Sequence, residues 1–547
     1  MNRHSASTYQ NRNQHSFSLT PSIHIERSRF DRSHCHKTTF NEGFLIPILV
    51  DEVLPGDTHS CNLTSICRMA TPIFPIMDNL YFETHFWFVP CRLVWDNWEQ
   101  FNGQQANPAD STSFIIPVVT SAGTGFTSGS LADYFGIATL TPNALSVNSL
   151  PFRCYNLIYN EWYRDENLQN SLVVTTGNGP DTLANYSVRQ RGKRHDYFTS
   201  CLPWPQKIND GTVVGIPLGT SAPLVLSANT NPTKIRVAST HGLVGAQNPL
   251  RADASGSLVD AAGTTPLLAD VTTHTFADLS SATAATINQL RQAFQLQVLF
   301  ERDARGGTRY TEIIRSHFGV ISPDMRLQRP EYLGGGSTMI NINPVAQTAP
   351  GDVGGTGEQL SPQGTLSAFG VGHVNGHGFI KSFTEHGYII GIASVRADLT
   401  YMQGVNRMWT RSTRYDFYWP TLAHIGEQAV SLGEIFAVGG AVTTDGWSTA
   451  DAVVFGYQER YAEYRYKPSI VTGFFRANAT GTLDAWHLAQ NFSPAPALNS
   501  TFIVEAAPMS RVEAVTNVAD FICDMFFNYS STRPMPLYGT PMQLGRF

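Results

Sequence analysis

The residue groups in this sequence that could do chemistry are few, and each lacks a partner its chemistry needs. His34-Cys35-His36 places three metal-ligating side chains in a row. Successive side chains of an extended segment point to opposite faces, and no second Cys/His pair stands at finger spacing. His373 and His377 are four apart, the interval of a helical zincin site. Gly372, Gly376 and Gly378 argue against a helix there, and the zincin glutamate is missing, so a loop is expected. Gly334-Gly335-Gly336-Ser337 has the glycines of a phosphate cradle without the Lys-Ser/Thr that should follow, and reads as a flexible turn. Glu459 and Glu463 form a carboxylate pair of the kind glycoside hydrolysis uses. Arg460 and Arg465 flank them, so a salt-bridged surface is the better reading. No Gly-x-Ser-x-Gly elbow occurs. No catalytic set, metal site or cofactor site is expected, and the chain does not read as an enzyme.

The basic residues fall in two places. Residues 1–40 carry Arg3, Arg12, Arg27, Arg29, Arg32 and Lys37 against only Glu26 and Asp31. A polar, basic stretch before the first apolar run reads as an extended arm, with phosphate contact and a solvated terminus as its two meanings. The densest cluster is Arg189, Arg191, Lys193 and Arg194, followed by His195-Asp196-Tyr197-Phe198. Basic groups beside aromatics bind single-stranded nucleic acid through phosphates and base stacking. They also pair with a neighbouring subunit's carboxylates, and the sequence leaves both open.

The elements that must carry these groups are mostly strands. In residues 80–89, Leu80, Phe82, Thr84, Phe86 and Phe88 share one face and Tyr81, Glu83, His85, Trp87 and Val89 the other. That is period-two alternation with both faces covered, and Phe82, Phe86 and Phe88 are expected in the core. Further strands are expected at 387–401, 470–475, 501–505 and 521–529, with ordered structure starting near Phe40. Helices are few. Tyr155, Ile158, Tyr159, Trp162 and Tyr163 make one amphipathic stripe. A second helix is expected over about 286–302, stopped by Gly306-Gly307, and a short third ends near Gly319. Many scattered strands favour a sandwich or jelly roll over a parallel sheet.

Composition sets the frame. The 547 residues are 42% hydrophobic and 11% aromatic, which affords a sizeable core. Only 15% are charged, well below the usual quarter, and the formal net charge is −6. Scarce charge fits either a surface buried against other subunits or a Ser/Thr/Asn-rich monomer. Seven irregularly spaced cysteines make a poor disulfide framework. No secretory signal or membrane span is visible, so synthesis in a reducing cytoplasm is expected. The window 211–285 stands apart, with Phe276 its one aromatic and seven charged residues. It cannot anchor a main core and reads as an outer insertion. Smaller insertions are expected at 104–150 and 426–452.

Longer motifs carry a family resemblance. Asp51-Glu52-Val53-Leu54-Pro55-Gly56-Asp57-Thr58 resembles a signature of the major capsid protein of microviruses, in particular the gokushovirus branch of small single-stranded DNA bacteriophages. The resemblance continues through Thr71-Pro72-Ile73-Phe74-Pro75-Ile76-Met77-Asp78-Asn79 and from Arg191 to Gln206. It resumes at Asp303-Ala304-Arg305-Gly306-Gly307-Thr308-Arg309-Tyr310 and Arg326-Leu327-Gln328-Arg329-Pro330-Glu331-Tyr332-Leu333. It ends with Phe455-Gly456-Tyr457-Gln458-Glu459-Arg460, Leu483-Asp484-Ala485-Trp486-His487 and Arg533-Pro534-Met535-Pro536. It covers nearly all of the chain except most of 211–285. Glu83 and Thr84 depart from the pattern.

The resemblance implies a mainly β fold: a single eight-stranded antiparallel jelly roll, the viral capsid barrel, with long loop insertions and a few short helices. It implies a basic arm over 1–40 facing the particle interior and a capsid domain over 41–547. Sixty copies would enclose circular single-stranded DNA in a T=1 icosahedral shell, with 211–285 forming protrusions at the three-fold axes. The implied partners are other copies, the genome, a small basic DNA-binding protein and other virion proteins, and a receptor on the bacterial host. Its place is the virion, assembled in the host cytoplasm. Two other readings share the β-rich composition: a host-attachment spike and a carbohydrate-active β-sandwich hydrolase. Neither accounts for motifs spread along the whole chain.

Overall fold

A computed structural model of the chain describes residues 26–205, 327–349, 363–441, 446–515 and 517–538, with Lys207 and short elements between 224 and 318. It divides into two compact units, one formed by residues up to 205 and from 323 on, the other by 206–322.

The first unit is organised by nine strands: β1 (Ser28–Asp31), β2 (His34–Phe40), β3 (Ile46–Val53), β4 (Thr58–Met69), β5 (Leu80–Pro90), β6 (Glu331–Ala346), β7 (Leu366–Ser382), β8 (Gly387–Ala397) and β9 (Phe521–Arg533). Period-two patterning sets the face of each. In β9, Phe521, Cys523, Met525, Phe527 and Tyr529 are buried while Ile522, Asp524, Phe526 and Asn528 are exposed. β5 and β8 are covered on both sides and read as nearly continuous apolar runs.

The spatial order is β1-β9-β4-β7-β6-β5-β8-β3, with β2 also on β9. Every ladder in it is antiparallel. β1 pairs with the end of β9 and β2 with its beginning, so the two occupy one strand position, giving eight positions. β6 changes partner midway. Its residues 331–340 lie on β5 and its residues 341–346 on β7. The positions therefore form two layers of four, β1/β2-β9-β4-β7 and β6-β5-β8-β3, joined through β6. This is the jelly-roll arrangement. Between the layers sits the main core, with Cys61, Leu63, Phe521 and Phe527 from one side and Phe82, Phe86, Phe88 and Val395 from the other. Phe82, Phe86 and Phe88 are 0%, 0% and 2% exposed.

The outer face of the second layer carries Trp87, Val89, Tyr388, Ile390 and Ile392. It is covered by α1 (Leu150–Ile158) through Phe152, Tyr155 and Ile158, and by Val119, Phe126 and Leu131 from the 104–150 insertion. A third cluster, with Tyr197, Phe198, Val430, Ile435 and Phe455, joins the β5–β6 and β8–β9 connections.

Several expectations are corrected. Ordered structure begins ahead of Phe40, because β1 and β2 are edge strands whose outer face meets solvent and so looks polar in sequence. The glycines at 334–336 lie within β6, and His373 and His377 within β7; neither segment is a turn or loop. Of 470–475 only Ile470 is strand, in the two-residue strand Ser469–Ile470, followed by a short 3-10 turn at Gly473–Phe475. Residues 501–505 contribute a single bridge, Val504 to Gly192. The helical stripe starting at Tyr155 continues α1 as a π turn, Tyr159–Tyr163.

The second unit contains three nested antiparallel pairs: Leu224–Leu226 with Thr275–Ala277, Ile235–Val237 with Leu267–Ala269, and Arg251–Ala252 with Leu258–Val259. They are followed by α2 (Ile287–Gly306) and a π turn, Ile314–Phe318. The unit runs from 206 to 322, wider than 211–285 at both ends, and includes α2.

Candidate functional site

The strands bring one half of the basic residues onto their own carboxylates. Glu83 projects from β5 on the face opposite Phe82. Arg191 donates to Glu83 Oε2 at 2.6 Å and to Ser394 Oγ at 2.8 Å. Arg396 of β8 reaches Glu83 Oε1 at 2.6 Å, and Arg194 reaches it at 3.3 Å while also pairing with Asp398 at 3.2 Å. Three guanidinium groups thus surround one buried carboxylate. Burial alone would raise the Glu83 carboxyl; the charges of Arg191 and Arg396 override it and hold it at about 2. Lys193 is buried too, donating to Gln490 and lying 4.4 Å over the Phe502 ring. Burial pushes its ammonium down, against the pull of Glu505.

This bears on two of the four members of the basic cluster. Arg191 and Lys193 are 8% and 7% exposed and satisfy groups of their own chain, so neither presents its cation to phosphate or to a neighbour. Arg189 is half-buried beside Tyr155, whose hydroxyl accepts its backbone N–H. Glu83, Arg396 and Asp398 were not singled out as a set. The available signal was Glu83 itself, an acidic residue within an aromatic strand.

The described part of the arm is more open: Arg27, Arg29 and Lys37 are exposed, and Arg32 is part-buried. Arg32 makes a two-pronged contact with Asp51, whose Oδ2 also accepts from the Tyr529 hydroxyl at 2.7 Å. Arg27 donates to the Gly56 carbonyl and Arg29 to Ser530 Oγ. Lys37 pairs with Asp524 on open surface. Arg3 and Arg12 lie outside the described residues.

The histidines, glycines and glutamates with potential for chemistry have structural roles. His377 joins β7 to its neighbours, its ring nitrogens 2.8 Å from Thr84 Oγ1 and 3.0 Å from Thr338 Oγ1. A Cβ on Gly336 would stand 2.5 Å from that ring, and one on Gly335 2.0 Å from the Thr84 carbonyl oxygen, with φ at +148°. The glycines let three strands approach; they cradle no phosphate. Glu459 pairs with Arg465 and Glu463 with Arg411. His34, Cys35 and His36 lie in β2, with Cys35 exposed. Among the described residues no group of three or more His, Cys, Asp or Glu side chains is placed to hold a metal ion, and no helix is long and apolar enough to cross a membrane.

The buried charges of this jelly roll serve its own packing, and the comparisons with known proteins supply its role. The family model described as "Capsid protein (F protein)" matches residues 18–543. The chain belongs to this capsid protein family. Its relatives include "Capsid protein VP1" of Bdellovibrio phage phiMH2K, 49% identical over 98% of this chain and 99% of that one. "Capsid protein VP1" of Chlamydia phage 1 is 43% identical over 96% of this chain and 97% of that one. "Capsid protein VP1" of Spiroplasma virus 4 is 36% identical over 96% and 97%. The F-family chain is accordingly a major capsid protein, a structural and non-enzymatic subunit of a multimeric shell, and its place is the virion.

Proposed function

We propose that sixty copies of this capsid protein form a T=1 shell around circular single-stranded DNA, assembled in the cytoplasm of a bacterial host. The observation that carries the reading is the eight-position jelly roll in a chain that aligns nearly end to end with microvirus-type capsid proteins. Phosphate contact falls to the arm, through Arg3, Arg12, Arg27, Arg29 and Lys37, with Arg32 held by Asp51, because Arg191 and Lys193 are turned inward. These few cations leave most genome charge to other molecules, in keeping with a separate small basic protein. The unit around 211–285 is assigned to protrusions at the three-fold axes, contacting a receptor on the host surface. Its separation as a compact unit supports this, since loops and insertions on a rigid scaffold commonly carry recognition.

Electron microscopy of the purified protein tests the shell: closed particles of sixty subunits support it, and isolated spikes or monomers overturn it. Replacing Arg3, Arg12 and Arg29 by Ala tests the arm. The salt dependence of DNA binding should flatten by about one unit of slope per lost contact, with lower genome retention. Unchanged packaging would remove the arm from the interior.

A further inference from the structure

The two layers of the jelly roll are joined on one side by β6, which lies on both β5 and β7. On the other side the strand order ends in β2 and β3, and these two share no ladder. The turn 41–45 runs between them. It is held by other stretches of the chain. Arg191 N–H donates to the Gly43 carbonyl at 2.9 Å, and Glu505 N–H to the Arg191 carbonyl at 2.8 Å. The approach is close: a Cβ on Gly43, whose φ is +77°, would stand 2.6 Å from the Glu505 carbonyl oxygen.

A pair of carboxyl groups is buried in this seam. Glu42 and Glu505 are 5% and 1% exposed and lie within hydrogen-bonding reach of each other. Glu42 Oε2 accepts the Ala507 N–H at 2.8 Å, and the Glu42 N–H donates at 2.8 Å to Oδ2 of Asp520, the residue before β9. Glu42 Oε1 and both carboxylate oxygens of Glu505 meet no donor among the described residues. Ionised carboxylates only accept, so two of them face to face would repel and leave buried acceptors empty. One proton between them removes both costs, because a carboxyl O–H donates to the carboxylate opposite. The surroundings decide which group keeps it. Glu505 faces the cations Lys193, Arg191 and Arg396, and Lys193 is shared with Asp196. Glu42 faces Glu505 and Asp520, and Asp520 faces Glu513. Burial raises the Glu42 carboxyl well above its ordinary range and the facing Glu505 raises it further, so Glu42 carries the proton and Glu505 the charge.

We propose that a proton shared between Glu42 and Glu505 closes the seam between β2 and β3, and that this seam is a latch released when the proton leaves as the pH rises. The folded Glu42 carboxyl titrates above its unfolded value of 4.5. Its stabilisation is therefore complete below that value and is lost as the pH rises through the folded one. Once ionised, Glu42 repels Glu505 and Asp520 at the one place where the two layers have no ladder to hold them. The turn 41–45 then separates from the chain that leads into β9.

The test uses unassembled full-length subunits, so its outcome does not depend on how copies form a shell. Glu42→Gln replaces the shared proton by an amide N–H that does not titrate, and its amide oxygen still accepts from Ala507. Denaturant unfolding from about pH 5 to about pH 8 should show the folding equilibrium of the variant gaining on the wild type by about tenfold per pH unit. Glu505→Gln should flatten the pH dependence too, because its amide N–H donates to an ionised Glu42. It should be less stable overall, because Lys193, Arg191 and Arg396 lose a counter-charge. Infrared spectra of the wild type at neutral pH should show the carbonyl stretch of a buried protonated carboxyl, missing from Glu42→Gln. A ratio of wild type to variant that is constant with pH, or no such band in the wild type, overturns the proposal. Excess calcium chloride that restores the wild type but not the variant at the alkaline end would mean that a cation closes the seam, and overturns it as well. Should Glu42→Gln fail to fold, the wild-type band and the Glu505→Gln profile decide.

Discussion

Glu83→Gln is the sharpest test of the charge network. The change keeps the shape of the side chain and removes its charge. Arg191, Arg194 and Arg396 would then face one another with Asp398, paired to Arg194, and Glu505 as the remaining acidic neighbours. Holding the carboxyl at about 2 instead of 4.5 is worth about 3 kcal/mol of preference for the charged form. Breaking a buried pair by removing one partner costs about 3–5 kcal/mol, and the two figures agree. Because the folded carboxyl titrates below its unfolded value, its stabilisation is present above pH 4.5 and is lost as pH falls toward 2. Denaturant unfolding of unassembled subunits, followed by tryptophan fluorescence, should show a loss of about 3–5 kcal/mol at pH 7. The gap between wild type and variant should close as the pH is lowered from 5 to 3, while other acid effects cancel in the difference. A loss below about 1 kcal/mol at pH 7, or a gap constant across that range, would refute the reasoning.

Phe86→Ala, at a fully buried position between the two layers, should cost about 3–5 kcal/mol, measured in the same unfolding assay; unchanged melting with normal assembly would remove Phe86 from the core. Gly335→Ala should abolish soluble subunit or sharply lower its melting temperature, since the new Cβ would meet the Thr84 carbonyl oxygen at 2.0 Å. Gly376→Ala, with nothing within 4 Å of its Cβ, measures the cost of positive φ alone and should be milder. Replacing 220–275 with a short Gly/Ser linker should leave shells that assemble but adsorb poorly to host cells; lost assembly would make the insertion a clamp between subunits, and normal adsorption would refute receptor contact.

What the sequence made legible depended on whether its signal was local. The alternation in 80–89 is local, and it became a strand with Phe82, Phe86 and Phe88 buried; the apolar run at 521–529 became a strand as well. The helix expected at 286–302 runs Ile287–Gly306 for the same reason. The glycines at 334–336 were misread because a missing side chain does not reveal what occupies its space, here a carbonyl oxygen and a histidine ring from two other strands. The basic cluster was ambiguous for a related reason. Charge density in sequence is the same whether it faces solvent or a carboxylate, and the one that decided it, Glu83, lies 108 residues from Arg191.

The same network changes what the low charge content means. Composition left a subunit-covered surface and a Ser/Thr/Asn-rich one open. The fold withdraws part of an already small supply of charge: Arg153 with Asp181, Arg191 and Arg396 with Glu83, and Arg411 with Glu463 all lie inside the subunit. The surface is therefore poorer in charge than 15% of the residues suggests. What it shows instead includes Trp409, Tyr415, Phe417, Tyr418, Tyr466 and Phe474, each half exposed or more. A Ser/Thr/Asn-rich monomer would not leave six large aromatic side chains on one connection between strands. A subunit that buries this connection against its neighbours would, because aromatic residues supply the energy of interface cores from which charge is excluded.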